Sequence, residues 1–155
     1  MYSKENLRKL NMTITETIKN SIRNALYNKD NNIIFHFEEI KHTGFPYAIL
    51  TIKDFTIEPN LSQMKQLCDF NFELVYMKSP SNKTTELLDS VDFLKSALLP
   101  VIEIEGKKIT VDTPRFSIKD DKLLMTFKLS FYIYEEDAGE NMQILDITLK
   151  ENKNA

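Results

Sequence analysis

The side chains that could do chemistry in this chain are few, and their spacing limits what they can do together. Cys68, His36 and His42 are the only cysteine and histidines, and a thiol enzyme needs its sulfur and an imidazole in contact. Cys68 alternates with Phe70 and Phe72, so its expected place is the apolar side of a strand, where a cysteine acts as a small hydrophobe. His42 stands beside a turn with no companion at metal-ligand spacing. Glu38-Glu39 and Asp120-Asp121 are adjacent carboxylates, and neighbours on a strand point to opposite sides, so neither pair can share a substrate. Asp120-Asp121 reads instead as turn chemistry. The expectation is no catalytic residue, no metal and no cofactor. Phe70, Phe72, Phe127 and Phe131 lack the interleaved Lys or Arg of a nucleic-acid stacking platform and are expected in a sheet core. The run Glu135-Glu136-Asp137 is expected as a solvated loop able to meet a basic partner.

Composition narrows the class further. At 155 residues the chain fits one domain able to bury about two thirds of its unfolded surface. Three glycines leave no phosphate-cradling loop or dinucleotide fingerprint. A net charge of −3 offers no basic excess for gripping nucleic acid. No apolar run is long enough to span a bilayer. The single cysteine cannot form an internal disulfide, and no leader opens the chain, so synthesis inside the cell is expected.

The elements that would hold these residues centre on 123–134, Leu-Leu-Met-Thr-Phe-Lys-Leu-Ser-Phe-Tyr-Ile-Tyr. Leu123, Met125, Phe127, Leu129, Phe131 and Ile133 share one side of a long strand, and Thr126, Lys128, Ser130, Tyr132 and Tyr134 the other. It is expected as the central strand, pairing with more than one short partner. Residues 1–12 are expected to be loosely held. Thr13-Ile14-Thr15-Glu16 has capping-box spacing ahead of Ile14, Ile18, Ile22, Ala25 and Leu26 at helical intervals. Residues 33–40 and 47–55 read as strands broken by His42-Thr43-Gly44-Phe45-Pro46, which suggests a hairpin. Residues 56–64 read as a longer connection projecting as an arm, and 65–77 as a strand near the middle of the sheet, with Cys68, Phe70, Phe72, Leu74 and Tyr76 on one side. Asn82 or Thr84 is placed to cap a second helix with a buried stripe of Leu87, Leu88, Val91, Leu94 and Leu98, ended by Pro100. A small hairpin turning at Glu105-Gly106, a strand at 115–118 and an edge segment at 142–149 complete the order. The expected class is α+β: a mixed, mostly antiparallel sheet packed on one side by two helices, with a projecting hairpin arm. The expected division is a single domain over 13–150, with 151–155 as a tail.

The phrases Phe37-Glu38-Glu39-Ile40-Lys41-His42-Thr43-Gly44-Phe45-Pro46-Tyr47 and Cys68-Asp69-Phe70-Asn71-Phe72-Glu73-Leu74-Val75-Tyr76, the hairpin over 115–134, and Met142-Gln143-Ile144-Leu145-Asp146-Ile147 stand in this order along the chain. Together they resemble the tail terminator, or tail completion, proteins of tailed bacteriophages and of phage-tail-like bacteriocins. The similarity runs over about 13–149. The resemblance implies a structural, non-enzymatic protein of the virion or tail-like particle, made in the host cytoplasm. It implies a homo-hexameric ring on the head-proximal end of the tail tube, which ends polymerisation of the tube (and of the sheath, in contractile tails) and offers a surface to neck or head. Its implied partners are the tail tube protein, with sheath and neck proteins beyond it. DNA would pass through the ring without specific binding, and six copies would total about −18, which repels phosphate. The expected contact residues are Glu58, Asn60 and Met64 on the arm, Tyr132 and Tyr134 on the long strand, Glu135, Glu136 and Asp137 in the acidic loop, and Ile144 and Ile147 on the last edge. Another tail or neck adaptor, or a small thiol enzyme using Cys68, are the alternatives.

Overall fold

The computed structural model describes residues 13–38 and 44–134, and the backbone of 146–149. Helix α1 (Ile14–Tyr27) starts where the sequence places a cap: the Thr13 hydroxyl accepts from the Glu16 amide at 3.1 Å. Strands β1 (Ile34–Phe37), β2 (Tyr47–Asn60) and β3 (Lys65–Met77) follow, then helix α2 (Thr84–Leu98), the hairpin β4 (Val101–Ile104) and β5 (Lys107–Thr110), and strands β6 (Asp112–Lys119), β7 (Lys122–Tyr134) and β8 (Asp146–Leu149). Among the described residues the main sheet has the order β1-β2-β3-β7-β6, with β8 also beside β7. Every pairing in it is antiparallel except that of β1 with β2. The class is α+β, as expected.

Strand β7 has the place its pattern demands. One edge pairs with β3 from Leu123↔Tyr76 to Tyr134↔Lys65. The other edge is shared by β6, up to Lys128, and β8, from Phe131. Period-two alternation then sends Cys68, Phe70, Phe72, Leu74 and Tyr76 to the same side as Leu123, Met125, Phe127, Leu129, Phe131 and Ile133, and all eleven are buried. Their rings form a stack across the strands, with centroids 5.2 Å apart for Phe72–Phe127, 5.8 Å for Phe70–Phe131 and 6.1 Å for Phe70–Phe72. Helices α1 and α2 cover this side. They are joined there by the β4–β5 hairpin, which touches α1 and β7.

Two tight turns use left-handed backbone. Asp120 and Asp121 have φ of 52° and 61°, and Glu105 and Gly106 have φ of 51° and 78°. Positive φ at both central positions is the two-residue hairpin turn whose twist matches the flanking strands.

Four local expectations are corrected. The pair β1–β2 is parallel, Ile34↔Tyr47 to Phe37↔Leu50, and not a hairpin. Alternation reports which side a residue takes but not strand direction, and residues 38–46 are long enough to retrace a strand spanning about 13 Å. Residues 56–60 are strand, so the connection at the arm is only the 3-10 turn Leu61–Gln63 and Met64. Helix α2 begins after Lys83, with no side-chain cap bond from Asn82 or Thr84. Leu88 is not in its stripe: it is 65% exposed, while Ser90 is buried in its place. An apolar residue at helical spacing can sit just outside a stripe set by only Leu87, Leu94 and Leu98.

Phe72 is 1% exposed, so Phe72→Ala is expected to cost about 3–5 kcal/mol in urea unfolding. Leu88→Ala should stay within about 0.5 kcal/mol. Equal losses in the two variants would contradict this layering.

Candidate functional site

Strands β2 and β3 close in a hairpin arm, and β7 stays paired to β3 as far as Lys65↔Tyr134. The β2–β3 ladder continues to Asn60↔Lys65, interrupted once by a bulge between Ile52 and Asp54. At the tip, Asn60 Oδ1 accepts from the Gln63 amide at 3.2 Å and from Ser62 Oγ at 2.8 Å, and Met64 closes the turn at φ 53°. Beyond the bulge the covered-side phase continues with Phe55 and Ile57, opposite Phe70 and Cys68. The described chain covers them only in part: Phe55 is 58% exposed and Ile57 39%, in an open concavity that Ile14 and Thr15 of α1 also line, while Leu61 and Met64 at the tip are 85% and 46% exposed. Phe55 stacks on Phe70 at 5.8 Å, so the ring row of the core extends into solvent.

The other side of the sheet is chemically different. Across β2, β3 and β7 runs a polar band: Asn71 Nδ2 donates to Asp54 Oδ1 at 2.5 Å, Thr56 Oγ1 to Asp69 Oδ2 at 3.4 Å, and Ser130 Oγ to Asp69 Oδ1. Lys128 lies 3.9 Å from Asp69, and Lys53 3.4 Å from Glu73. Above the band, Lys65 Nζ sits 4.6 Å from the Tyr132 ring centre and 6.0 Å from that of Tyr134. The order Glu58↔Leu67↔Tyr132 and Asn60↔Lys65↔Tyr134 across three strands brings four of the expected contact residues to one end of this side. Glu58, Asn60 and Tyr132 line one shallow concavity there, together with Lys65. Tyr132 is buried, whereas Glu58, Asn60 and Met64 are exposed. Met64 closes the turn at the tip. Ile147 lies on β8 opposite Ile133. Glu135, Glu136, Asp137 and Ile144 lie outside the described residues.

The covered side argues against thiol chemistry. Cys68 is fully buried. Burial, with Asp69 beside it, pushes its thiol up to about 12, so the nucleophilic thiolate is suppressed. Burial likewise pushes the Tyr76 hydroxyl up to about 12. Among the described residues no three His, Cys, Asp or Glu side chains gather as metal ligands, and His42 lies outside them. The arrangement has the parts of a docking surface: an apolar arm, an adjoining polar side and a strand edge.

A family model described as phage tail terminator protein matches residues 17–141. The chain belongs to the phage tail terminator family. Its match spans α1, the whole arm and β7, so the arm is within the terminator domain. No curated protein matches the chain. A solved structure aligns at TM-score 0.45 and 12% identity over 87% of this chain and 98% of that chain. As a tail terminator the protein is a component of the tail and meets other tail proteins.

The candidate docking residues that sequence reasoning missed in this terminator are Phe55, Ile57 and Lys65. A signal existed for the first two, since they are apolar residues alternating along a strand that continues past its first partner. Lys65 carried none, because its aromatic partners are 67 and 69 positions away.

With its thiol raised to about 12, Cys68 should be inert to an aromatic disulfide reagent at about pH 8 in the folded protein and react only on unfolding. The thiol is neutral through the physiological range, so this inertness should be lost only as pH rises toward the raised value. Rapid stoichiometric labelling of native protein would contradict it.

Proposed function

We propose that six copies of this chain form a ring on the head-proximal end of the tail tube, end its polymerisation and present a surface for joining neck or head. Family membership supports the terminator role. The observation that carries the docking mode is the arm: the hairpin end of β2 and β3, flanked by β7, whose apolar residues Phe55, Ile57, Leu61 and Met64 stay exposed in the single chain. Exposed apolar surface at a regular strand edge is stabilised by burial against another chain.

In this reading Glu58, Asn60 and Met64 contact the tube or a neighbouring copy. Tyr132 and Tyr134 stiffen the arm from behind through Lys65, and Glu135, Glu136, Asp137, Ile144 and Ile147 extend the contact surface. The sheath protein is a further partner if the tail contracts, and a neck protein binds the opposite side of the ring. DNA passes without specific recognition, consistent with a net charge of −3 per copy. The role is structural rather than catalytic, and the protein resides in the particle. One folded domain spans 13–150, flanked by 1–12 and 151–155.

The double substitution Leu61→Asp and Met64→Asn changes only exposed side chains at the tip and leaves the β2–β3 and β3–β7 ladders in place. The variant is expected to fold, by circular dichroism, but to give tails of uncontrolled length in negative-stain images. Tails of normal length would overturn the arm's role.

A further inference from the structure

Among the open strand edges of the described residues, two lie on long strands at opposite ends of the sheet. The first is the outer edge of β2 beyond Leu50, where β1 ends. The second is the outer edge of β6. An open edge presents backbone donors and acceptors in a fixed rhythm, and that rhythm can be read for both.

On β2, the Leu50 carbonyl accepts from the Glu38 amide at 2.9 Å and the Ile52 amide donates to Glu38 Oε1 at 2.8 Å, so both residues direct their backbone outward. The extra residue at the bulge shifts the phase by one. Beyond it Phe55, Ile57 and Pro59 direct theirs outward. Pro59 has no amide to offer, so its place on the open side costs no bond to β3. On β6, the two-residue turn at Asp120-Asp121 makes Lys119 and Lys122 a hydrogen-bonded pair. Lys119, Ser117 and Arg115 therefore direct their backbone to β7, and Ile118, Phe116 and Pro114 direct theirs outward.

We infer that the outer edge of β2 in one copy pairs antiparallel with the outer edge of β6 in the next, in the register Phe55 to Ile118, Ile57 to Phe116 and Glu58 to Arg115. This rests on the ring reading above and names the contact that closes it. The register places the two outward-facing backbone pairs opposite each other. Phe55 and Ile57 meet Ile118 and Phe116 on the covered side, where Phe55, Ile57 and Ile118 are exposed in the single chain. On the other side Asp54 faces Lys119, Thr56 faces Ser117 and Glu58 faces Arg115, pairing acid with base at both charged positions. Among the described residues Glu58, Arg115 and Lys119 have no ion-pair partner of their own. Pro59 falls opposite Pro114, so two residues without amides end the ladder together. Shifting the register by two residues either way puts Asp54 and Glu58 opposite uncharged or acidic residues, except for one Thr-to-Lys or Thr-to-Arg pair.

The contact is head-to-tail, because β2 meets β6 and never itself, and head-to-tail contacts generate rings. The directions agree, since β2 and β7 run one way and β3 and β6 the other. Within one copy Ser117 is level with Leu124, Val75 and Ile49, so meeting Thr56 of the next copy needs a stagger of about six ladder steps, roughly 20 Å. Spread over four strands about 4.8 Å apart, that is a strand tilt of about 45°, close to the 35–45° or so of closed barrels.

Thr56 and Ser117 would be a closely spaced pair about 4.5 Å apart at Cα, within disulfide range. The test is to produce tails in cells carrying Thr56→Cys and Ser117→Cys on separate copies, isolate them, oxidise and separate the chains without reductant. A covalent dimer is expected only when both variants are present, and both substitutions on one chain should give linked multiples up to the closed ring. Glu58→Lys and Arg115→Glu should each lower the terminator bound per tail at least tenfold, with the melting temperature of the isolated chain unchanged, and the double reversal should restore it. Terminator rings at the tube end with no link between positions 56 and 117, or a link from Thr56→Cys alone, would overturn this pairing and leave the ring reading standing. Wild-type protein absent from the tube end would overturn the ring reading itself, and this pairing with it.

Discussion

The register between β3 and β7 is the constraint on which the rest of this molecule depends. It runs unbroken from Tyr76↔Leu123 to Lys65↔Tyr134, and a slip of one residue would turn every side chain to the opposite side. Phe70, Phe72, Phe127 and Phe131 stack only in the observed register. The same register delivers Ser130 to Asp69, and Tyr132 and Tyr134 to Lys65, on the opposite side. Core and candidate interface are two consequences of one pairing.

The exposure of Phe55 and Ile57 comes from where the cover lies across the sheet. At their level the neighbouring strands are covered, with Phe70 and Cys68 on β3 and Leu129 and Phe131 on β7 all buried, so the opening is confined to the edge strand β2. The β4–β5 hairpin extends the cover but does not reach Phe55 or Ile57. A residue there keeps the phase of the core without its burial. Such a pattern is costly in a monomer and suits a chain that completes its core against another.

Much of this was legible from residue order. The long strand at 123–134, the alternation around Cys68, the Thr13 cap and the turns at Asp120-Asp121 and Glu105-Gly106 each rest on local chemistry, and local chemistry is what a sequence displays directly. The burial of Cys68 was legible for the same reason. The parallel placement of β1 was not, because it depends on how residues 38–46 return the chain and on Glu38 taking the Ile52 amide. Leu88 was misplaced because helical spacing defines a stripe but not which of two adjacent positions faces the sheet. Of the expected contact residues, Glu58, Asn60 and Tyr132 come together through the pairing of three strands.

By itself the sequence determined the periods of the elements, the side of each strand that is apolar, and the absence of glycine-rich phosphate loops, because each depends on neighbours a few positions apart. Only the tertiary structure decided which strands are neighbours, which part of β2 the cover leaves open, and which edges are left unpaired among the described residues. Those are properties of pairings between residues far apart in the chain, and alternation carries no information about its partner.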